Sequence, residues 1–154
     1  MGIFSIFQKK KQFFPAEEQS QIVKAIQASE KTTSGEIRVF VESKNPFVNP
    51  LNRASEIFFK LKMQNTANRN AVLLYIAMDS RELALFADQG IYEKVGTRYW
   101  DDAVINMLAH FRRDDLVKGI EQCIMEIGAT LTDKFPYMGA ADKNELPDDI
   151  VFGK

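Results

Sequence analysis

The stretch AVLLYIAMDSRELALFADQG, residues 71–90, contains the pattern that decides the fold. Ala71 to Met78 is an unbroken apolar run, which is typical of a central strand buried on both faces. The residues DSR, 79–81, turn the chain, and ELALFA returns it as a second strand. This connection is too short for a crossover, so the two strands must be antiparallel.

A third strand precedes this hairpin, in the segment EIRVFVE at residues 36–42. Ile37, Val39 and Val41 share one face, so the alternation predicts a strand with one firmly buried face. A helix predicted from Leu51 to Met63 separates this strand from the apolar run. We therefore expect the two strands to be parallel and joined by a right-handed crossover.

Helices are predicted on both sides of this strand pattern. One begins after Pro15 and ends at TTSG, residues 32–35. Two more follow residue 96, and the first of these carries Trp100 and Phe111 as predicted core residues. The predicted fold class is α/β, an α/β/α sandwich in which helices flank a small mixed sheet formed by a parallel crossover and an antiparallel hairpin. We divide the chain into a flexible segment at 1–14, one domain at 15–137 and an acidic tail at 138–154.

Composition excludes several classes of protein. The 154 residues carry a formal net charge of -1 and are 45% hydrophobic, which suits one globular domain and argues against a nucleic-acid partner. No apolar run approaches the roughly 18 residues that a membrane span requires. The single cysteine, Cys123, has helical spacing from apolar neighbours and is predicted to be a buried thiol in a reducing compartment. We expect a cytoplasmic monomer, with an unknown protein partner possible.

The N-terminal sequence MGIFSIFQKKK combines a short apolar stretch with three lysines. The apolar stretch is too short for a signal core, and the charges follow it instead of preceding it. A disordered or loosely docked terminus is one interpretation. Weak peripheral contact with a membrane surface is the other.

An acidic corner follows the second strand of the hairpin. Because that strand returns antiparallel, it brings Asp88 to the end of the sheet where Glu36 and Asn70 open the other two strands. Hard cations require several oxygen ligands, so the pattern predicts a divalent-cation site. Its predicted ligands are Asp88, Glu36, Asn70, Gln89 and Glu93. The alternative is a turn in which Gly90 supplies positive φ and Asp88 caps a helix.

Other acids have competing interpretations. Asp79 at the hairpin turn is predicted to make local hydrogen bonds, or else to join Glu42 and Ser43 at the opposite end of the sheet. The acids of the tail are predicted to be solvated, unless the tail docks on the domain. They are Asp142, Glu145, Asp148 and Asp149.

No catalytic motif accompanies these acids. The sequence has no aspartyl-nucleophile motif, no cysteine–arginine phosphate loop and no paired-metal histidine cluster. Its lone histidine, His110, lies near a helix end beside Arg112 and Arg113. A solvated or capping residue is the prediction, and a phosphate-binding group is the alternative.

Four separated motifs carry a family resemblance. TSGEIRVFVE, TANRNAVLLYIA, FADQGIYEKV followed by YW, and the tail NELPDDIVFG resemble the TPM-domain family, and most closely its short soluble bacterial members. That family includes a thylakoid-lumen phosphatase-like protein and a photosystem II repair factor. The similarity runs from about Phe13 to the C-terminus, so residues 15–137 resemble a TPM domain. Ala87 and Gln89 depart from the family's GDKGI corner.

The resemblance implies an α/β/α sandwich and a divalent-cation site, with Ca²⁺ the leading candidate and Mg²⁺ less favoured. It also implies acid phosphatase activity in some relatives. The predicted function is a calcium-binding interaction module of the cytoplasm without strong catalysis. The first alternative is a weak metal-dependent acid phosphatase, and the second is a peripheral membrane adaptor.

Overall fold

The computed structural model describes residues 13–46, 49–139 and 146–153. The membrane-contact prediction for the N-terminal sequence and the tail acids Asp142 and Glu145 lie outside these residues. The helices are α1 (Ala16–Glu30), α2 (Pro50–Lys60), α3 (Gln89–Val95), α4 (Thr97–Arg112) and α5 (Leu116–Lys134). The strands are β1 (Glu36–Glu42), β2 (Ala71–Ala77), β3 (Glu82–Ala87) and β4 (Val151–Phe152).

The strands form one mixed sheet in the order β3-β2-β1-β4. β1 pairs in parallel with β2, and β2 pairs antiparallel with β3, which confirms both predicted pairings. All seven residues of β2 are buried, as the apolar run predicted. Helices α1, α4 and α5 pack on one face of the sheet and α2 on the other, so the predicted sandwich is confirmed.

Strand β1 differs from its prediction because it is buried on both faces. The alternation of EIRVFVE left Glu36, Arg38 and Glu42 on a face expected to be open. In the structure these side chains are 3%, 8% and 4% exposed. The prediction of a single buried face was wrong because α2 and the C-terminal residues cover the second face, where the two glutamates accept hydrogen bonds.

The last described residues, 146–153, dock on the domain. Strand β4 pairs in parallel with β1, and Gly153 N–H donates to the Val41 carbonyl at 2.7 Å. Leu146 N–H donates to Glu36 Oε1 at 2.6 Å, and the Phe152 ring stacks on Phe13 with 6.3 Å between centroids. For this part of the tail, docking is therefore the correct interpretation.

Within the described parts of the chain, none of the helices combines the length and apolar character that crossing a membrane requires.

Candidate functional site

The acidic corner lies where β1 and β2 begin and β3 ends. Glu36 pairs in register with Ala71, and Asp88 N–H donates to the Ala71 carbonyl at 2.9 Å. Asn70 precedes Ala71, and its carbonyl accepts Glu36 N–H at 3.4 Å. The backbone thus brings Glu36, Asn70 and Asp88 to one end of the sheet, where the sequence placed them.

Asp88 is buried and fully engaged at this corner. It is the N-cap of α3, and its Oδ1 accepts Gln89 N–H at 2.8 Å. Arg69 forms a bidentate ion pair with it, through Nε to Oδ2 at 2.6 Å and Nη2 to Oδ1 at 2.8 Å. The predicted capping role of Asp88 is confirmed. Sequence reasoning missed Arg69, although its place two residues before β2 puts it beside the end of β3.

Gly90 is required at this corner for a reason other than the one predicted. Positive φ occurs at Gly96 and Gly139 among the described glycines, and Gly90 lies inside α3. A Cβ at Gly90 would lie 2.2 Å from the Asn68 carbonyl oxygen and 2.6 Å from that of Arg69. The prediction of positive φ at Gly90 was wrong, because the glycine instead permits close approach of α3 to the loop before β2.

The other predicted ligands differ in their surroundings. Glu36 is buried and accepts Leu146 N–H. Asn70 is fully buried, and its Nδ2 lies 3.4 Å from Ser34 Oγ. Its Oδ1 has no hydrogen-bond partner among the residues that the structure describes. Gln89 and Glu93, in contrast, are exposed on α3. The structure therefore groups three predicted residues inside the protein and leaves two at its surface.

The carboxylate oxygens of Asp88 are not free to bind a divalent cation in this arrangement. Its two oxygens already accept three hydrogen bonds, two of them from the positive guanidinium of Arg69. Nowhere in residues 13–46, 49–139 and 146–153 are three or more His, Cys, Asp or Glu side chains grouped to hold a metal ion. The unpartnered Oδ1 of Asn70 is a suitable oxygen donor. Calcium at this corner stays a prediction.

The opposite end of the sheet contains a second carboxylate network. Arg53 donates to Glu42 through Nε and Nη2, each at 2.8 Å, and the Tyr75 hydroxyl also donates to Glu42. Burial and the neighbouring Glu42 raise the pKa of Tyr75 above its usual range. Asp79 is exposed in the hairpin turn, and its N–H donates to the carbonyl of Ser43, just after β1, at 2.7 Å.

A pair of carboxyl groups, Glu30 and Asp148, joins α1 to the tail. Glu30 Oε2 accepts Ile37 N–H at 2.8 Å, and its carboxyl group also hydrogen-bonds Asp148. Burial, reinforced by this contact with Asp148, raises the pKa of Glu30 to about 10. Glu30 is therefore protonated at neutral pH and can donate the hydrogen that the two carboxyl groups share.

The cysteine, the histidine and two aromatic residues that the sequence singled out lie elsewhere in the fold. Burial raises the pKa of Cys123 to about 12, which keeps it a thiol at neutral pH. His110 lies near the end of α4 with Nδ1 3.0 Å from Asp115 Oδ1. Trp100 and Phe111 belong to the core, as predicted.

A groove of about 930 Å³ follows β3 at the margin of the sheet. Helices α2 and α4 form its walls, and α3 lies at one end. Four large apolar side chains that line it are 40–59% exposed: Leu51, Phe59, Tyr92 and Ile105. Sequence reasoning missed this groove. Its signal was the presence of Leu51 and Phe59 outside the apolar stripe of α2.

The structure is thus a small α/β/α domain with an ion-paired Arg69–Asp88 corner and an apolar groove beside β3. The chain belongs to the TPM domain family, whose model matches residues 8–130.

Solved structures agree with this assignment. The BA42 protein of the psychrophilic bacterium Bizionia argentinensis is 35% identical, with a TM-score of 0.85, over 94% of this chain and 99% of BA42. The N-terminal domain of a P. gingivalis protein is 14% identical, with a TM-score of 0.66, over 79% of this chain and 78% of that one. The N-terminal domain of cg2496 from Corynebacterium glutamicum, also 14% identical, has a TM-score of 0.56 over 77% and 74%. The last two share the fold alone. No curated protein matches the chain.

Proposed function

We propose that this TPM domain is a protein-interaction module that takes its partner in the groove beside β3 and works without strong catalysis. The groove carries the proposal. Its volume of about 930 Å³ is that of a ligand-binding cleft, and its large apolar side chains remain exposed in the isolated chain. A free, buried Cys123 supports the accompanying proposal of a cytoplasmic location.

A probe of apolar surface tests the groove. The neutral dye Nile red should bind the folded protein, and the double variant Leu51→Ser/Ile105→Ser should bind it much more weakly. Met125→Ser is the matched control, because Met125 is 63% exposed on α5 and does not line the groove. Equal dye binding by the double variant and the control would overturn the proposal.

Weak acid phosphatase activity remains the runner-up. The proposal of no strong catalysis is supported by the high pKa of Cys123 and by the pairing of His110 with Asp115. Hydrolysis of a generic phosphate ester should stay at the buffer rate with either Ca²⁺ or Mg²⁺ present. Turnover well above buffer that Asp88→Asn abolishes would establish the phosphatase instead.

Calcium binding at the corner is the second element of the proposed function. The buried Oδ1 of Asn70 supports it, whereas the ion pair of Arg69 with Asp88 opposes it. A cation at Asp88 must displace Arg69. We therefore expect any calcium affinity of the wild-type chain to be in the millimolar range or weaker.

A further inference from the structure

We propose that the partner enters the groove as an extended peptide with basic residues and adds a strand to the outer edge of β3. This inference rests on the proposed function, because it specifies which kind of partner the groove takes and how it is held.

The hydrogen-bond pattern of the hairpin shows which groups β3 offers to a fifth strand. Bonded pairs alternate along an antiparallel ladder, and Asp88 N–H donates to the Ala71 carbonyl. In the observed register, Phe86 and Ala84 therefore exchange backbone hydrogen bonds with their partners on β2. Leu83, Leu85 and Ala87 consequently direct their N–H and C=O groups away from β2.

β3 is the terminal strand of the described sheet on this side, so those groups face the groove. The outward N–H and C=O groups of Leu83, Leu85 and Ala87 have no hydrogen-bond partner among the described residues. An edge with unpaired donors and acceptors is a template for another strand. β3 has six residues, which span about 20 Å.

The two walls of the groove suit the alternating side chains of such a strand. Phe86 belongs to the core on the α2 side of the sheet, and Leu85 to the core on the α4 side. Side chains of an added strand would alternate between the same two sides. There they would contact Leu51 on one wall and Ile105 on the other.

The charges along the groove select a basic peptide. The lining includes one arginine and three carboxylates, which leaves two negative charges. Arg69 and Asp88 neutralise each other, whereas Glu93 and Asp101 form no ion pair with a described residue. Lysine or arginine at the end of the peptide that lies beside α3 would therefore be attracted, and acidic residues would be repelled.

The recessed position of β3 favours an isolated peptide over a second copy of the domain. In an edge-to-edge dimer, two β3 strands would have to meet although each lies between α2 and α4. A single extended peptide can reach the edge between these helices without such a collision.

The test uses the full chain and a synthetic peptide of about ten residues that alternates valine and threonine and carries lysine at both ends. We expect saturable amide shifts at Leu83, Leu85 and Ala87 in nuclear magnetic resonance spectra. Hydrogen exchange at these amides should slow by about tenfold or more, because each gains a partner. Two versions of the peptide, N-methylated on one or the other alternate set of amides, provide the control. The version that lacks the donors facing β3 should lose binding.

Charge selection is tested in the same titration. A peptide with glutamate at both ends should bind at least tenfold more weakly at low salt. Glu93→Gln/Asp101→Asn should remove most of this preference. Asp102→Asn is the matched control, since Asp102 follows Asp101 on α4 but does not line the groove.

The remaining outcomes separate this inference from the proposed function. Equal binding of both N-methylated peptides and the parent would overturn strand addition but leave the groove a binding site. No shift at millimolar peptide, with Nile red binding intact, would overturn the peptide assignment alone. Loss of both would overturn the proposed function as well.

Peptide binding that requires removal of residues 1–12 would assign the groove to the chain's own N-terminal sequence, and a β3-paired dimer would assign it to a second copy.

Discussion

Replacing Gly90 with alanine should strongly destabilise the domain, contrary to the usual rule for helices. Alanine inside a helix is normally favoured over glycine by about 0.5–1 kcal/mol. At this position a Cβ would lie 2.2 Å from the Asn68 carbonyl oxygen and 2.6 Å from that of Arg69. Both obstacles are backbone atoms, so α3 and the loop must separate by about 1 Å to restore ordinary contact.

The expected magnitude follows from what this separation disturbs. Gly90 N–H donates to the Arg69 carbonyl at 2.8 Å, and loss of such a buried bond costs about 1–3 kcal/mol. Overpacking costs about 1–3 kcal/mol more, and the same shift loosens the Arg69–Asp88 ion pair. After the helix preference is subtracted, we expect Gly90→Ala to lower the free energy of unfolding by roughly 3–5 kcal/mol.

The assay is urea denaturation at 25 °C, followed by the fluorescence of the buried Trp100. Gly96→Ala is the control, because Gly96 has a φ of 81° but no atom within 4 Å of an added Cβ. Its ψ of 164° places it in a backbone region that is essentially restricted to glycine, so the cost should be that of backbone conformation alone, about 1–3 kcal/mol. The reasoning is refuted if Gly90→Ala is as stable as the wild type, or if it loses less stability than Gly96→Ala.

Three further predictions concern charge and surface. Burial raises the pKa of Glu30 from the usual glutamate value to about 10, so its stabilising contribution is complete below about pH 4 and declines as the pH rises to 10. Each pH unit in this window contributes about 1.4 kcal/mol, so Glu30→Gln should gain roughly 5 kcal/mol of stability relative to the wild type between pH 5 and pH 9. A difference independent of pH in urea denaturation would contradict this. Calcium titrations followed by amide shifts in nuclear magnetic resonance spectra should show that Asp88→Asn weakens any binding and that Arg69→Gln strengthens it. Asp79→Asn should leave binding unchanged, and shifts centred on Asp79 would place the site at the other end of the sheet. The full chain and a chain lacking residues 1–12 should remain equally in the supernatant with anionic vesicles, and selective pelleting of the full chain would support the membrane adaptor.

The pairings of β1, β2 and β3 were predictable because their signals are local. The apolar run of β2 and the short connection to β3 require an antiparallel hairpin, and a helix-length insertion permits the parallel pairing with β1. Strand β4 had no comparable signal. It has two residues, shows no periodicity and pairs with a strand more than 100 positions earlier.

The candidate site was predictable in its position but not in its contacts. Strand direction was enough to bring Asp88 to the level of Asn70. The side chain that meets Asp88 is decided by the conformation of the loop before β2, where Arg69 has a φ of 51°. The groove depends on how far apart α2 and α4 stand, and no pattern within either helix specifies that separation.

The late position of β4 in the chain has a consequence during synthesis. The edge of β1 that β4 covers stays unpaired until residues 146–153 have left the ribosome. At about 5–20 residues per second, this takes on the order of 10 s after β1 is made. A nascent strand with an open edge can pair with neighbouring chains. Glu36, Arg38 and Glu42 place three charges within the seven residues of β1, so they act as gatekeepers that discourage such pairing until β4 arrives.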